Sequence, residues 1–214
     1  MEIGFVAVKN KKIISFQKGV NLDVRDIAKK LKGIDYDWVI FHTRFASVGD
    51  KNDRNCHPFI RANDAMAMNG TEQSAAFLNN AMDITDTEAV FKILTDYKLG
   101  IAALSNLKSI FVGFKNGIPY MVANNINNIK VLHNKKNNAI IFASEFPENF
   151  KKNVYELKKE YIWYNGKIDY KFLRPYKAKK KIKYMSLYDW YYYDTEYAQE
   201  CLKSYKRGSD KIAV

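Results

Sequence analysis

Short apolar runs separated by polar turns fill most of the first 170 residues. Ile3 to Val8 and Ile13 to Phe16 flank the polar Lys9-Asn10-Lys11-Lys12, the pattern of a β-hairpin. Asn21 or Asp23 can cap a helix over Val24 to Lys32. Val24, Ile27, Ala28 and Leu31 would share its apolar face, and Gly33 would stop it. Trp38 to Arg44 reads as a strand with a buried first half, and Ala65 to Met68 as a second, short one. Thr85-Asp86-Thr87-Glu88 is a helix start, with Thr85 as cap and Glu88 closing a capping box. Val90, Phe91, Leu94 and Tyr97 supply the stripe of that helix, Gly100 breaks it, and Ile101 to Leu107 fits a second short helix.

Strands then return. Ser109 to Phe114 and Ile118 to Val122 flank Asn116-Gly117, which suits a two-residue type I′ turn. Ile129 to His133 and Ala139 to Ala143 predict a further hairpin through residues 135–138. Tyr155 to Tyr164, Asn165-Gly166 and Lys167 to Tyr170 predict another. Sheet, helices, then sheet again is the order of an α+β fold. One domain is expected over residues 1–170. After Arg174-Pro175 the composition changes to a basic linker, Lys177 to Lys183, and a Tyr-rich segment with a helix over Asp194 to Tyr205. Residues 171–214 are read as a basic, Tyr-rich extension that docks on the domain or on a partner.

Composition narrows the class. The chain has 214 residues, 47% of them hydrophobic, enough for one domain with a sizeable core. No apolar run reaches the ~20 residues of a membrane span, and no signal-peptide pattern opens the chain. The two cysteines, Cys56 and Cys201, lie far apart, so a reducing, cytoplasmic setting is expected. The net charge is +12, concentrated towards the end. Lysine beside tyrosine can bind nucleic acid, but a solvated basic segment is the simpler reading. His42, His57 and His133 give no metal-site spacing, and there is no Gly-rich phosphate loop, so no metal and no cofactor is expected.

The chemistry concentrates between Trp38 and Gln73. One apolar run delivers His42-Thr43-Arg44, a polar loop carries Asn55-Cys56-His57-Pro58-Phe59, and a second run delivers Asn69-Gly70. Two strands ending side by side would offer a guanidinium and an amide next to a glycine. That pair can grip a carboxylate and an oxyanion.

His42-Thr43-Arg44-Phe45-Ala46-Ser47, Asn55-Cys56-His57-Pro58-Phe59, Asn69-Gly70 and Thr85-Asp86-Thr87-Glu88 occur in that order. The series resembles the class II glutamine amidotransferases of the N-terminal nucleophile hydrolase superfamily. The resemblance extends over residues 1–170, including the hairpin at Ser109 to Val122 and the strand ending Phe142-Ala143-Ser144-Glu145. It implies a four-layer αββα sandwich that hydrolyses the side-chain amide of glutamine and passes ammonia to a synthetase partner. On it, Arg44 would bind the glutamine α-carboxylate and Ser47 would line the pocket. Asn69 and the Gly70 N–H would form the oxyanion hole, and Asp86 would hold the α-ammonium. His57 and Pro58 would shape the loop.

The departures matter. Val48 and Met68 stand where the family commonly has histidines. The family nucleophile is an N-terminal cysteine whose own α-amine is the base, whereas this chain opens Met1-Glu2-Ile3-Gly4. The expectation is a domain lacking the family's first strand, with a glutamine pocket but no catalytic residue of its own. Cys56 and Cys201 have no α-amine base, and Cys56 is read as a small, partly buried thiol. One alternative is an active glutaminase whose cysteine-bearing segment is supplied from elsewhere. Another is a non-enzymatic interaction protein, of a viral or virion-associated kind, that uses the fold and its basic tail to contact a partner. The missing strand would also leave an open sheet edge for pairing with another chain or a second copy.

Overall fold

The computed structural model describes residues 2–44, 49–76, 78–124, 129–134, 139–146, 154–165 and 173–175. In chain order the elements are β1 (Glu2–Lys9), β2 (Lys12–Gly19), α1 (Val24–Lys32), β3 (Trp38–Arg44), β4 (Phe59–Arg61) and β5 (Asp64–Asn69). The short α2 (Gln73–Ala76) and α3 (Leu78–Met82) follow, then α4 (Asp86–Asp96) and a 3-10 helix, Ile101–Asn106. The last are β6 (Ile110–Lys115), β7 (Ile118–Ala123), β8 (Lys130–Asn134), β9 (Ala139–Ala143), β10 (Val154–Leu157), β11 (Tyr161–Tyr164) and β12 (Leu173–Pro175). Among the described residues the strands form three sheets, ordered β2-β1-β3, β11-β7-β6-β5-β4 and β12-β10-β8-β9. Every strand pair among the described residues is antiparallel, and the class is α+β.

Local chemistry explains the hairpins. Asn10 and Lys11 turn β1 into β2 with φ of 50° and 61°, and Asn116-Gly117 turn β6 into β7 with 51° and 69°. Both residues positive is the twist that suits a two-residue connection. Asp23 caps α1 by accepting from the Arg25 N–H at 2.7 Å, and Gly33 follows its last residue. Thr85 caps α4 by accepting from the Glu88 N–H at 3.1 Å.

Strand alternation sends β1 and β3 to two different layers. Ile3, Phe5 and Ala7 face α1, where Ile27 is buried with Leu22, Leu31 and Val39 against it. Val6, Val8 and Ile40 point the other way, onto Ala65, Ala67 and Phe114 of the five-stranded sheet. That sheet alternates in turn. Met66, Met68, Phe111, Tyr120 and Val122 lie on the opposite face, under Val90, Phe91 and Leu94 of α4 and Leu104. The β8–β9–β10 sheet shares the inner face of the five-stranded sheet through Val131, Leu157, Met121, Ala123 and Trp163. Trp163 meets Trp38 and Phe142 edge-on at 5.5 and 4.8 Å between ring centroids.

Several expectations need correction. Tyr155 to Tyr164 is not one arm of a hairpin but two strands in different sheets: β10 pairs with β8 and β12, and β11 with β7. The polar Lys158-Lys159-Glu160, exposed in the structure, breaks the run and lets the chain cross between sheets. Tyr97 is 75% exposed just past the end of α4, not part of its stripe. Gly100 precedes the 3-10 helix rather than ending α4. On α1 only Ile27 is fully buried, while Val24 is exposed. The Glu88 carboxylate pairs with Lys92 at 2.8 Å and Arg54 at 3.6 Å, so the side chain serves an ion pair rather than the cap. β3 and β5 do not end side by side in one sheet; they face each other from two sheets. The expected turn at 135–138, the strand Lys167 to Tyr170, the basic linker and the helix over Asp194 to Tyr205 lie outside the described residues. No helix among the described residues is long and apolar enough to cross a membrane.

Candidate functional site

The layer between the two facing sheets changes from apolar to polar along its length. In the β1–β3 register, Val8 is opposite Trp38, Val6 opposite Ile40, Gly4 opposite His42, and Glu2 opposite Arg44. Alternation puts all eight on the inner face, so the β1–β3 end of the layer carries an imidazole and an ion pair instead of aliphatic groups. Glu2 is 1% and Arg44 7% exposed. Both carboxylate oxygens of Glu2 accept from Nη1 of Arg44, each at 2.8 Å. A guanidinium grips a carboxylate here, with little water to screen the pair.

His42 connects the two sheets, its imidazole hydrogen-bonded to the Met68 backbone at the end of β5. Burial holds His42 neutral, with its pKa down at about 4; the charge of Arg44 acts in the same direction and the Met68 contact opposes it. Its neighbour His57 is 3% exposed, and neither of its ring nitrogens has a hydrogen-bond partner among the described residues. Burial again, then the competing imidazole of His42 and the charges of Arg44 and Lys18, push His57 well below the ordinary histidine range.

His57 comes from the loop between β3 and β4, and three contacts place it. Lys18 of β2 donates to the carbonyls of Arg54 at 2.8 Å and Cys56 at 2.9 Å, with its ammonium 4.7 Å from the centre of the Phe59 ring. Asn55 donates from its side chain to the Asp50 carbonyl and from its backbone to Asn52 Oδ1. Gly4 supplies the room: a Cβ there would collide with the His57 carbonyl and come within 2.8 Å of Lys18 Cβ. The His57–Pro58 peptide is cis. Cys56 is fully buried, its thiol donates to the Asn52 carbonyl at 3.3 Å, and burial raises its pKa. That is an inert thiol rather than a nucleophile.

Across the layer, β5 ends in Asn69-Gly70. Asn69 has the parity of Ala65 and Ala67, so it belongs to the inner face, the one Arg44 and His42 share. Gly70 has φ of +119°, and a Cβ there would come within 2.9 Å of Ser109 Oγ; both facts call for glycine. Glu72 follows, 5% exposed, and accepts from Ser74 at 3.0 Å and the Lys108 N–H at 3.0 Å. Its own N–H donates to Asp86 Oδ2 at 2.8 Å, while the Thr87 N–H donates to Oδ1 at 2.8 Å. Asp86 therefore sits at the N-terminus of α4 as an acceptor of two backbone N–H groups. Burial raises its pKa, and those two hydrogen bonds and the charge of Arg44 pull it back.

Of the residues singled out from the sequence, Arg44 and Asp86 are buried and within each other's electrostatic reach, and Asn69-Gly70 close the opposing strand. Ser47, Val48 and Cys201 lie outside the described residues. Three important side chains went unremarked: Glu2, Lys18 and Glu72. Glu2 had a signal, since Glu2, Gly4, Val6 and Val8 alternate with apolar Ile3, Phe5 and Ala7 and thus share one strand face. The partners of Lys18, and the Lys108 N–H that Glu72 accepts from, lie 36 residues or more away, and no local pattern announces them. No protein-family model matches the chain, and no curated protein matches it in sequence.

Proposed function

We propose that residues 1–170 form a class II glutamine amidotransferase-like domain of the N-terminal nucleophile hydrolase kind, with a glutamine-recognition site at the polar end of the inter-sheet layer. The observation that carries this reading is the Arg44 guanidinium, buried at a strand end and holding a carboxylate through Nη1, the chemistry that recognition of an α-carboxylate needs. Asp86, a second buried carboxylate within its reach, supplies the countercharge for an α-ammonium. Asn69, on the inner face, and the Gly70 N–H supply donors for the amide oxygen. The stacking of α1, the β1–β3 sheet, the five-stranded sheet and α4 is compatible with the four-layer αββα arrangement of that superfamily.

The described residues recognise glutamine in this reading but do not attack it, because the Cys56 thiol is buried and committed to a backbone carbonyl. Calorimetric titration of the 214-residue chain with L-glutamine tests it. Saturable binding, weakened by at least about tenfold in Arg44→Lys and in Asp86→Asn, and no ammonia release above blank are expected. Absence of glutamine binding in both the parent chain and the Glu2→Gln variant described below would sink the glutamine reading. Ammonia release dependent on Arg44 would instead establish a working glutaminase.

A further inference from the structure

We infer that Glu2 is a built-in competitor for the ligand's carboxylate, so that it, rather than the pocket walls, sets whether the site accepts a carboxylate at all. Glu2 is fully buried and both of its oxygens lie on one guanidinium nitrogen, so an arriving carboxylate meets an Arg44 that is already paired. Glu2 is also the cross-strand partner of Arg44, tethered by the β1–β3 register, so its effective concentration at the guanidinium is high without any binding step.

The surroundings argue against a pair kept for strength alone. A buried ion pair is on balance weakly stabilising, and here it adjoins two neutral imidazoles and a second buried carboxylate, Asp86. His57, with both ring nitrogens unpartnered among the described residues, borders the same space. An all-aliphatic continuation of Val6, Val8 and Ile40 would have filled this end of the layer at less cost in desolvation. The inference rests on the proposed reading only in taking Arg44 as the group that meets the ligand's carboxylate.

The test uses the full 214-residue chain and its Glu2→Gln variant, which keeps the side-chain volume and removes the charge. Two probes separate the questions: L-glutamine by calorimetry, and acetate by thermal unfolding against chloride at equal ionic strength. Glu2→Gln is expected to bind glutamine at least about tenfold more tightly than the parent and to be stabilised by acetate where the parent is not. The double variant Glu2→Gln/Arg44→Met should lose both effects. Stabilisation of Glu2→Gln by acetate without glutamine binding would uphold the role of Glu2 and overturn the glutamine reading. Glutamine binding unchanged between parent and Glu2→Gln, with no response to acetate, would overturn the role of Glu2 and leave the glutamine reading standing. Should Glu2→Gln fail to fold, recovery of its circular-dichroism signal in acetate supports the inference, and failure to recover overturns it.

Discussion

His42 of β3 and His57 of the β3–β4 loop hold their rings 4.6 Å apart at a tilt of 43°, inside the protein and beside the Arg44 guanidinium. Two neighbouring imidazoles next to a fixed positive charge can be accommodated only if both stay neutral. Burial and the cations Arg44 and Lys18 enforce that state, and the carboxylates Glu2 and Asp86 stand nearby without reversing it.

Acid should therefore weaken the fold. In the unfolded chain both histidines take up a proton near pH 6.5, while the folded protein resists until about pH 4 at His42 and until well below the ordinary histidine range at His57. The unfolded state binds more protons across that window, so stability is intact above pH 6.5 and falls as the pH drops towards 4. A loss of up to about 3 kcal/mol is expected from His42 over that span, with His57 adding in the same direction. Asp86 works in the opposite sense, because its raised folded pKa contributes stability at low pH that is lost as pH rises through that value. It offsets only the acid end. Urea unfolding midpoints measured against pH check this, and a flat profile would show that the imidazoles are not held neutral.

Arg44→Met should cost about 3–5 kcal/mol, because it strands the buried Glu2 charge. The double change Glu2→Leu/Arg44→Met removes both charges and should recover most of that loss. Equilibrium unfolding of the two single variants and the double reads the coupling. Additive costs would mean that the pair is not coupled as the 2.8 Å contacts imply.

Lys18→Met removes the ammonium that holds the Arg54 and Cys56 carbonyls. A cost on the order of 2 kcal/mol is expected, with faster amide exchange in residues 52–57 and little change in α4. Hydrogen-exchange mass spectrometry resolves the two regions, and uniform loosening would argue against a local role.

Gly4→Ala places a methyl group against the His57 carbonyl, where the backbone has no room. The loop must lift or β1 must shift, at a cost of about 1–3 kcal/mol or more. Because the displaced residue is His57, the variant should also flatten the acid limb of the stability profile. Thermal unfolding of Gly4→Ala at two pH values distinguishes that from generic destabilisation.

What was legible in advance follows from the range of the forces involved. The hairpins β1–β2 and β6–β7 could be read because their turns need only two residues with positive φ, and Asn10-Lys11 and Asn116-Gly117 stand between apolar runs. α1 and α4 could be read because Asp23 and Thr85 cap them from the adjacent position. Tyr155 to Tyr164 misled because an apolar run shows that a segment is buried but not which sheet takes each half. Tyr97 misled because helical spacing continues on paper after the helix has ended.

The site divides the same way. The sequence alone determined that Arg44 ends a strand, that Asp86 starts a helix and that Asn69-Gly70 terminate another strand, since each depends on neighbours a few residues off. Tertiary structure alone decided that the two strands face each other from different sheets, that Lys18 holds the loop bearing His57, and that Glu2 occupies the guanidinium of Arg44. Glu2 and Arg44 are 42 residues apart. Their meeting depends on the β1–β3 register, which is set by how both faces of a whole sheet are buried and not by any stretch read by itself.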